Sequence, residues 1–190
     1  MNSAKVIIIG AGPVGTFVAY CLAEYGIETI LLESETSCET DMRASTFHPS
    51  TLKYLDNLNL ANELIDKGLK APIFQYRIRA TDEILEFNLE ELSDVLDFPF
   101  RLQCEQYKFA RMLADKLDNH KYSSVMFNRE LISFSDAGNK VKLKVDHKGI
   151  GEDYECDYLI GADGANSIVR RNLGIEFGGF TYKEKFFTLS

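Results

Sequence analysis

The stretch Lys5-Val-Ile-Ile-Ile-Gly10-Ala-Gly12-Pro-Val-Gly15 leaves the backbone few options. A run of β-branched residues stops at a glycine-rich turn, and the apolar segment Thr16–Tyr25 follows. The pattern predicts strand, tight turn and helix in direct succession. Gly10 permits the turn, Gly12 lets a ligand approach the main chain with no Cβ in the way, and Gly15 lets the helix lie close to the strand. The first N–H groups of that helix have no intrahelical partner and sit at the positive end of the helix dipole. Such a turn suits an anion, and a pyrophosphate above all.

Glycines at this spacing also arise in ordinary loops, so the neighbouring residues decide. Gly26 is a natural stop for the helix. A second apolar strand, Glu28-Thr-Ile-Leu-Leu, delivers Glu33, about 20 residues past the turn, where folds of this kind place the acid that binds ribose hydroxyls. A carboxylate there favours a free ribose diol and repels a 2′-phosphate. The ensemble points to dinucleotide binding. The bland alternative is an ordinary βαβ unit with a glycine turn.

Composition excludes several classes. A chain of 190 residues fits one domain, or one and a fraction, with a real core. The net charge of −8 argues against a nucleic-acid partner, because phosphate backbones call for basic patches. No apolar run is long enough to span a bilayer, and Val6–Ile9 is too short for a signal-peptide core. Cys21, Cys38, Cys104 and Cys156 are scattered, with no Cys-x-x-Cys pair and no His at metal spacing. They read as reduced thiols of a cytoplasmic protein that binds no metal.

Beyond Glu33 the simple alternation of strands and helices ends. Ser34–Phe47 is polar and loop-like, with Arg43 its one basic residue. A helix is expected from Pro49, and Leu52, Leu55, Leu58, Leu60, Leu64 and Ile65 give it an apolar face broken near Asn57–Asn59, so two short helices are predicted. Phe74–Arg79 and Ile84–Leu89 read as two antiparallel strands joined by a turn, a separate sheet inserted into the nucleotide-binding unit. Leu102–Glu105 leads into a helix carrying Phe109, Leu113 and Leu117, and Lys140–Val145 alternates as a half-exposed strand after the turn at Asp136–Asn139. Tyr158-Leu-Ile-Gly161-Ala-Asp163-Gly164 is a second strand–glycine–helix junction, entering the helix of Arg170-Arg171.

That junction, in order with Gly10-x-Gly12-x-x-Gly15, Glu33, Arg43 and Gln103, resembles the single-component flavoprotein aromatic hydroxylases. These are FAD-dependent monooxygenases typified by para-hydroxybenzoate hydroxylase, with the ubiquinone-biosynthesis hydroxylases as relatives. The resemblance runs along the whole chain. It implies an α/β fold: a Rossmann-like FAD-binding domain (1–70 and 97–175) with an inserted, incomplete antiparallel substrate-domain sheet (71–96 and 176–190). It also implies that Gly10, Gly12, Pro13, Val14 and Gly15 cradle the FAD pyrophosphate and that Glu33 binds the adenosine ribose. Arg43 would reach the diphosphate or ribityl oxygens, and Gln103 the same region from the start of its helix. A backbone group at Leu131 would meet the adenine, and Asp163 would serve both FAD and the nicotinamide donor.

The residues themselves leave other readings open. Arg43 has Glu39 and Asp41 nearby as surface partners, Gln103 can simply begin a helix, and Asp-Gly is a common turn pair that Asp163 can brace. His48 precedes Pro49 and reads as a helix-start residue, while His120 and His147 read as surface. Phe98, Phe100, Phe177 and Phe180 are candidates for lining a substrate pocket, yet most of them are better explained by sheet or core packing.

The implied reaction uses NADH or NADPH as transient electron donor, and dioxygen to hydroxylate an aromatic or similarly electron-rich small molecule through a flavin hydroperoxide. A homodimer is compatible with the family. No catalytic side chain is singled out, since the flavin carries the chemistry and the protein orients and shields it. An FAD-dependent reductase on the same scaffold, or a non-catalytic flavin- or nucleotide-binding module, are the alternatives. A halogenase is disfavoured because the chain holds no Trp. The family's third motif, a Gly-Asp pair followed by Ala or Ser and His, has no match here. The chain is therefore expected to be the N-terminal half of a longer enzyme, ending within a strand at 186–190.

Overall fold

The computed structural model describes residues 2–38 and 44–185. In chain order the first elements are β1 (Asn2–Ile9), α1 (Pro13–Glu24), β2 (Thr29–Leu32), β3 (Thr46–Phe47), α2 (Pro49–Asp56) and α3 (Ala61–Ile65). Then come β4 (Leu69–Ala71), β5 (Ile73–Ile78), β6 (Glu83–Asn88), a short 3₁₀ turn Leu89–Leu92, β7 (Arg101–Gln103) and α4 (Gln106–Asp118). The chain closes with β8 (Ser123–Met126), β9 (Glu130–Asp136), β10 (Val141–His147), β11 (Ile150–Gly161) and α5 (Ile168–Asn172).

Val6, Ile7, Ile8 and Ile9 are all buried, the mark of a strand covered on both faces. β1 accordingly lies inside a six-stranded sheet of order β8-β2-β1-β11-β10-β9. β8, β2, β1 and β11 run parallel, whereas β10 and β9 extend the sheet as an antiparallel meander. α1 starts at Pro13 rather than at Thr16, because proline at the first helical position comes already set for the helix. Its end is a Schellman closure: Gly26 N–H donates to Ala23 C=O at 2.8 Å and Ile27 N–H to Leu22 C=O at 3.0 Å.

Three apolar clusters follow from this layering. Val6 and Ile8 face Ala19 and Ala23 of α1 and Ala110, Ala114 and Leu117 of α4. Ile7 and Ile9 face the other way, with Ile30, Leu32, Leu131, Leu143, Val145, Tyr154 and Val169. The third cluster joins the far side of α4, through Phe109, Met112 and Leu113, to Leu52, Leu55, Leu60 and Leu64. Phe98 and Phe100 pack against this last cluster, whereas Phe177 and Phe180 are exposed and join no sheet or apolar cluster, so packing does not account for them.

The break between α2 and α3 falls between Asp56 and Ala61, with Asn59 in the left-handed region at φ +56°. His48 is the residue just before α2. β5 and β6 pair antiparallel as a two-stranded sheet of their own, as the alternation predicts. Other expectations need correction. The loop-like segment after Glu33 contains β3, which pairs with β7, while β4 pairs on its other side. β8 and β9 were not anticipated as strands. No helix or strand occurs within 176–185, and the strand expected at 186–190 lies outside the described residues. All four cysteines are free, and Cys38, Cys104 and Cys156 are buried. Burial pushes the Cys38 and Cys156 thiols up to about 11, so they stay protonated. Among the described residues, no helix is long and apolar enough to cross a membrane.

Candidate functional site

Three parallel strands, β2, β1 and β11, end side by side at Leu32, Ile9 and Gly161. A cleft of about 650 Å³ opens just beyond those ends, the usual ligand position in parallel α/β sheets. It is lined by the Gly10–Val14 turn, by Glu33–Glu35, by Arg129–Leu131 and by Ala162–Asn166, with Gln106 and Arg171 also on its wall.

The glycines divide their work. Gly10 sits at φ +101°, and a Cβ on it would come within 2.5 Å of the Ala162 carbonyl oxygen. A Cβ on Gly15 would lie 1.9 Å from the Gly10 carbonyl oxygen, so helix and turn can touch only through glycine. Gly12 differs: a Cβ there would meet nothing within 4 Å. Its lack of a side chain serves no internal contact and leaves the cleft floor open. Thr16 N–H makes the first intrahelical bond, to Gly12 C=O at 3.0 Å, which leaves the Val14 and Gly15 N–H groups ahead of it without helical acceptors. An anion resting on α1 would find those donors.

Glu33 follows β2 directly. Its Oε2 accepts from Ala11 N–H at 2.6 Å, and its Oε1 accepts from Glu35 N–H and the Ser34 hydroxyl at 3.0 Å each. The carboxylate is thus held beside the glycine turn, where a sugar next to a bound pyrophosphate would lie. Across the cleft, Asp163 Oδ1 accepts from the Ser167 hydroxyl at 2.6 Å, while Oδ2 accepts from Ile168 N–H at 2.7 Å and Val169 N–H at 3.3 Å. Asp163 therefore braces the turn into α5 and also borders the cleft.

The other expected residues fall as follows. Pro13, Val14 and Leu131 line the cleft. Gln103 does not start a helix: it ends β7, opposite Thr46 and Leu69, and its Oε1 accepts from the Thr46 hydroxyl at 3.1 Å. Main-chain pairing with both flanking strands keeps it extended, and Gln106, one turn later, is the glutamine on the cleft wall. Arg43 lies outside the described residues. His147 is not a free surface residue, since its Nδ1 is 3.0 Å from Glu152 Oε1. His120 is half-buried, with Nε2 3.7 Å from Glu24. Arg129 and Arg171 were missed as cleft residues, because nothing in their immediate sequence marks them.

The chain matches, over residues 3–189, the family described as the FAD binding domain. It belongs to that family. The 6-hydroxy-3-succinoylpyridine 3-monooxygenase HspB of Pseudomonas putida is 31% identical over 96% of this FAD-binding chain and 47% of its own length. The para-nitrophenol 4-monooxygenase of a Pseudomonas species is 26% identical over 95% of the chain and 45% of its own length. The crystal structure of p-nitrophenol 4-monooxygenase PnpA from Pseudomonas putida superimposes with a TM-score of 0.90 at 24% identity, covering 96% of this chain and 46% of that one. The likeness to PnpA establishes the fold. The chain spans a little under half the length of these relatives.

Proposed function

We propose that this chain supplies the FAD-binding part of a flavin-dependent monooxygenase that hydroxylates an aromatic or similarly electron-rich small molecule. NADH or NADPH is the electron donor, dioxygen the oxidant, and the cytoplasm, where thiols stay reduced, the setting. The observation that carries the reading is the convergence of three features on one cleft: the Gly10–Val14 turn with its open floor at Gly12, the Glu33 carboxylate, and the Asp163-Gly164 turn. The relatives named as monooxygenases support the reaction class.

The residues present fit the cofactor. Val14 and Gly15 N–H groups would hold the pyrophosphate, and Glu33 would accept hydrogen bonds from the ribose diol. Asp163 keeps the α5 turn in place against the same cleft. Arg43 and Leu131 take their parts, at the diphosphate or ribityl oxygens and at the adenine, on the family resemblance. Bound flavin supplies the redox chemistry, passing two electrons from the nicotinamide donor to dioxygen. One oxygen atom enters the substrate and the other leaves as water. On the same reading, 1–70 with 97–175 forms the cofactor unit, and 71–96 with 176–190 contributes to a substrate sheet. The apolar exposure of Tyr76, Leu85 and Phe87 on the β5–β6 pair suits a surface that another layer covers.

The test is made on the full-length protein that carries this sequence. It should purify yellow, with an FAD spectrum, and oxidise NAD(P)H faster in the presence of a phenol from a substrate panel, with hydroxylated product formed. NAD(P)H oxidation with no oxygenated product for any phenol would favour a reductase. Absence of FAD from folded protein, even after incubation with it, would overturn the reading.

A further inference from the structure

Glu152, His147 and Tyr154 border no part of the cleft, yet their polar groups are bound to one another. Tyr154, itself buried, donates its hydroxyl to Glu152 Oε2 at 2.7 Å, and His147 Nδ1 lies 3.0 Å from Glu152 Oε1. Arg129 Nη2 donates to the same Oε1 at 3.4 Å. The Tyr154 hydroxyl foremost, then His147 and Arg129, hold the Glu152 carboxyl below the usual carboxylate range. Glu152 therefore stays an anion and keeps its hold on the guanidinium.

Arg129 carries that anchorage to the connection 127–129 between β8 and β9. Its Nη1 reaches back past Asn128 to the Phe127 carbonyl at 2.9 Å. Asn128 sits at φ +56°, in the left-handed region that non-glycine residues seldom occupy without outside support. The Arg129 Nε is closed off with no acceptor, so the guanidinium serves this connection and not a ligand. The connection in turn holds the main chain of Glu33. Glu33 N–H donates to Met126 C=O at 3.0 Å, Arg129 N–H to Glu33 C=O at 2.7 Å, and Asn128 N–H to Glu35 C=O at 2.8 Å. Tyr154 adds a further tie, its hydroxyl lying 3.3 Å from Met126 Sδ.

The Glu33 carboxylate projects from a main chain that is fixed on both sides by this one connection. Hydrogen bonds to a carboxylate are directional, so a small displacement of Glu33 costs a ribose diol far more than it costs a pyrophosphate on the α1 N-terminus. We propose that Arg129, anchored by Glu152, is a positioning residue: from outside the cleft it sets the 127–129 connection and, through it, the aim of the Glu33 carboxylate. This rests on the reading of Glu33 as the ribose acceptor.

The experiment uses calorimetry on flavin-depleted full-length protein, in the native form and as Arg129→Met and Glu152→Ala. Neither residue belongs to an apolar cluster, so both variants should fold. The ligands are ADP, dideoxy-ADP, which lacks both ribose hydroxyls, and inorganic pyrophosphate. Native protein should prefer ADP over dideoxy-ADP by about tenfold or more, since the diol donates to a charged acceptor. In both variants that preference should shrink by about threefold or more, with pyrophosphate affinity near native. On a Glu33→Ala background the same substitutions should leave ADP affinity unmoved, because they act through Glu33. A native-level preference in both variants, whatever their melting temperatures, would overturn the proposal and make Arg129 merely structural. So would a loss of ADP affinity as large with Glu33→Ala as without it. Native protein that binds ADP no better than dideoxy-ADP would instead sink the reading of Glu33 on which this one rests.

Discussion

Gly12 and Gly15 stand three residues apart and answer to different demands, which a substitution can separate. Valine at Gly12 projects into open cleft, so folding should lose no more than about 1 kcal/mol, the usual cost of a poorer helix cap. FAD affinity should fall severely, because the new side chain occupies the pyrophosphate path. Valine at Gly15 drives a Cβ into the Gly10 carbonyl and should destabilise the fold by at least about 1–3 kcal/mol. Thermal melting of the flavin-free proteins together with FAD titration checks both, and a Gly12→Val protein that melts early yet keeps its flavin would reverse the assignment. At this scale the glycines and Glu33 were legible, because their spacing follows from the local strand–turn–helix geometry. Arg129 was not. Its place beside Glu33 comes from the pairing of β8 with β2, a contact between segments about a hundred residues apart that no local pattern announces.

The elements show the same division between local and distant causes. β1, α1 and β2 could be read from a β-branched run, a glycine turn and a helix stop, and the β5–β6 pair from alternation. β8, with the sequence Ser-Ser-Val-Met, has neither alternation nor an apolar run, and exists as a strand because β2 offers it an edge. β3, two residues long, is likewise a consequence of pairing with β7. Side chains also tie strands together. Asp157, in β11, bonds Lys140, the residue just before β10, at 2.6 Å and Lys5 of β1 at 2.5 Å. Those hydrogen bonds, Lys140 first and then Lys5, lower its carboxyl from the ordinary 3.8 to about 2. Because the folded value is depressed, the stabilisation is present above the unfolded value near 4 and is lost as pH falls toward 2. Asp157→Asn should therefore melt below the native protein at neutral pH, by a modest amount that added salt reduces, since Asp157 is only partly buried and both lysine partners lie at the surface. The gap should close between pH 4 and 2. A gap that stays constant down to pH 2 would show that the ion pairs contribute nothing.

In the molecule as a whole, α4 lies between two apolar clusters and so fixes the α2–α3 pair to the parallel sheet. The meander β9–β10–β11 closes the opposite face. The cleft is left at the one rim where parallel strand ends, the α1 N-terminus and two turns meet. The β5–β6 pair stands apart as its own sheet, with Ile73, Tyr76, Leu85 and Phe87 exposed. A two-stranded sheet is marginal by itself, which is consistent with relatives about twice the length of this chain. On the proposed reading, the cleft would hold FAD by its ADP half. The most direct test is competition on the flavin-depleted full-length protein, following FAD by fluorescence polarisation while ADP or FMN is added. ADP should displace FAD and FMN should displace far less, because on that reading the glycine turn and Glu33 would hold the half that FMN lacks. Displacement by FMN with none by ADP would show that the cleft does not hold the ADP half.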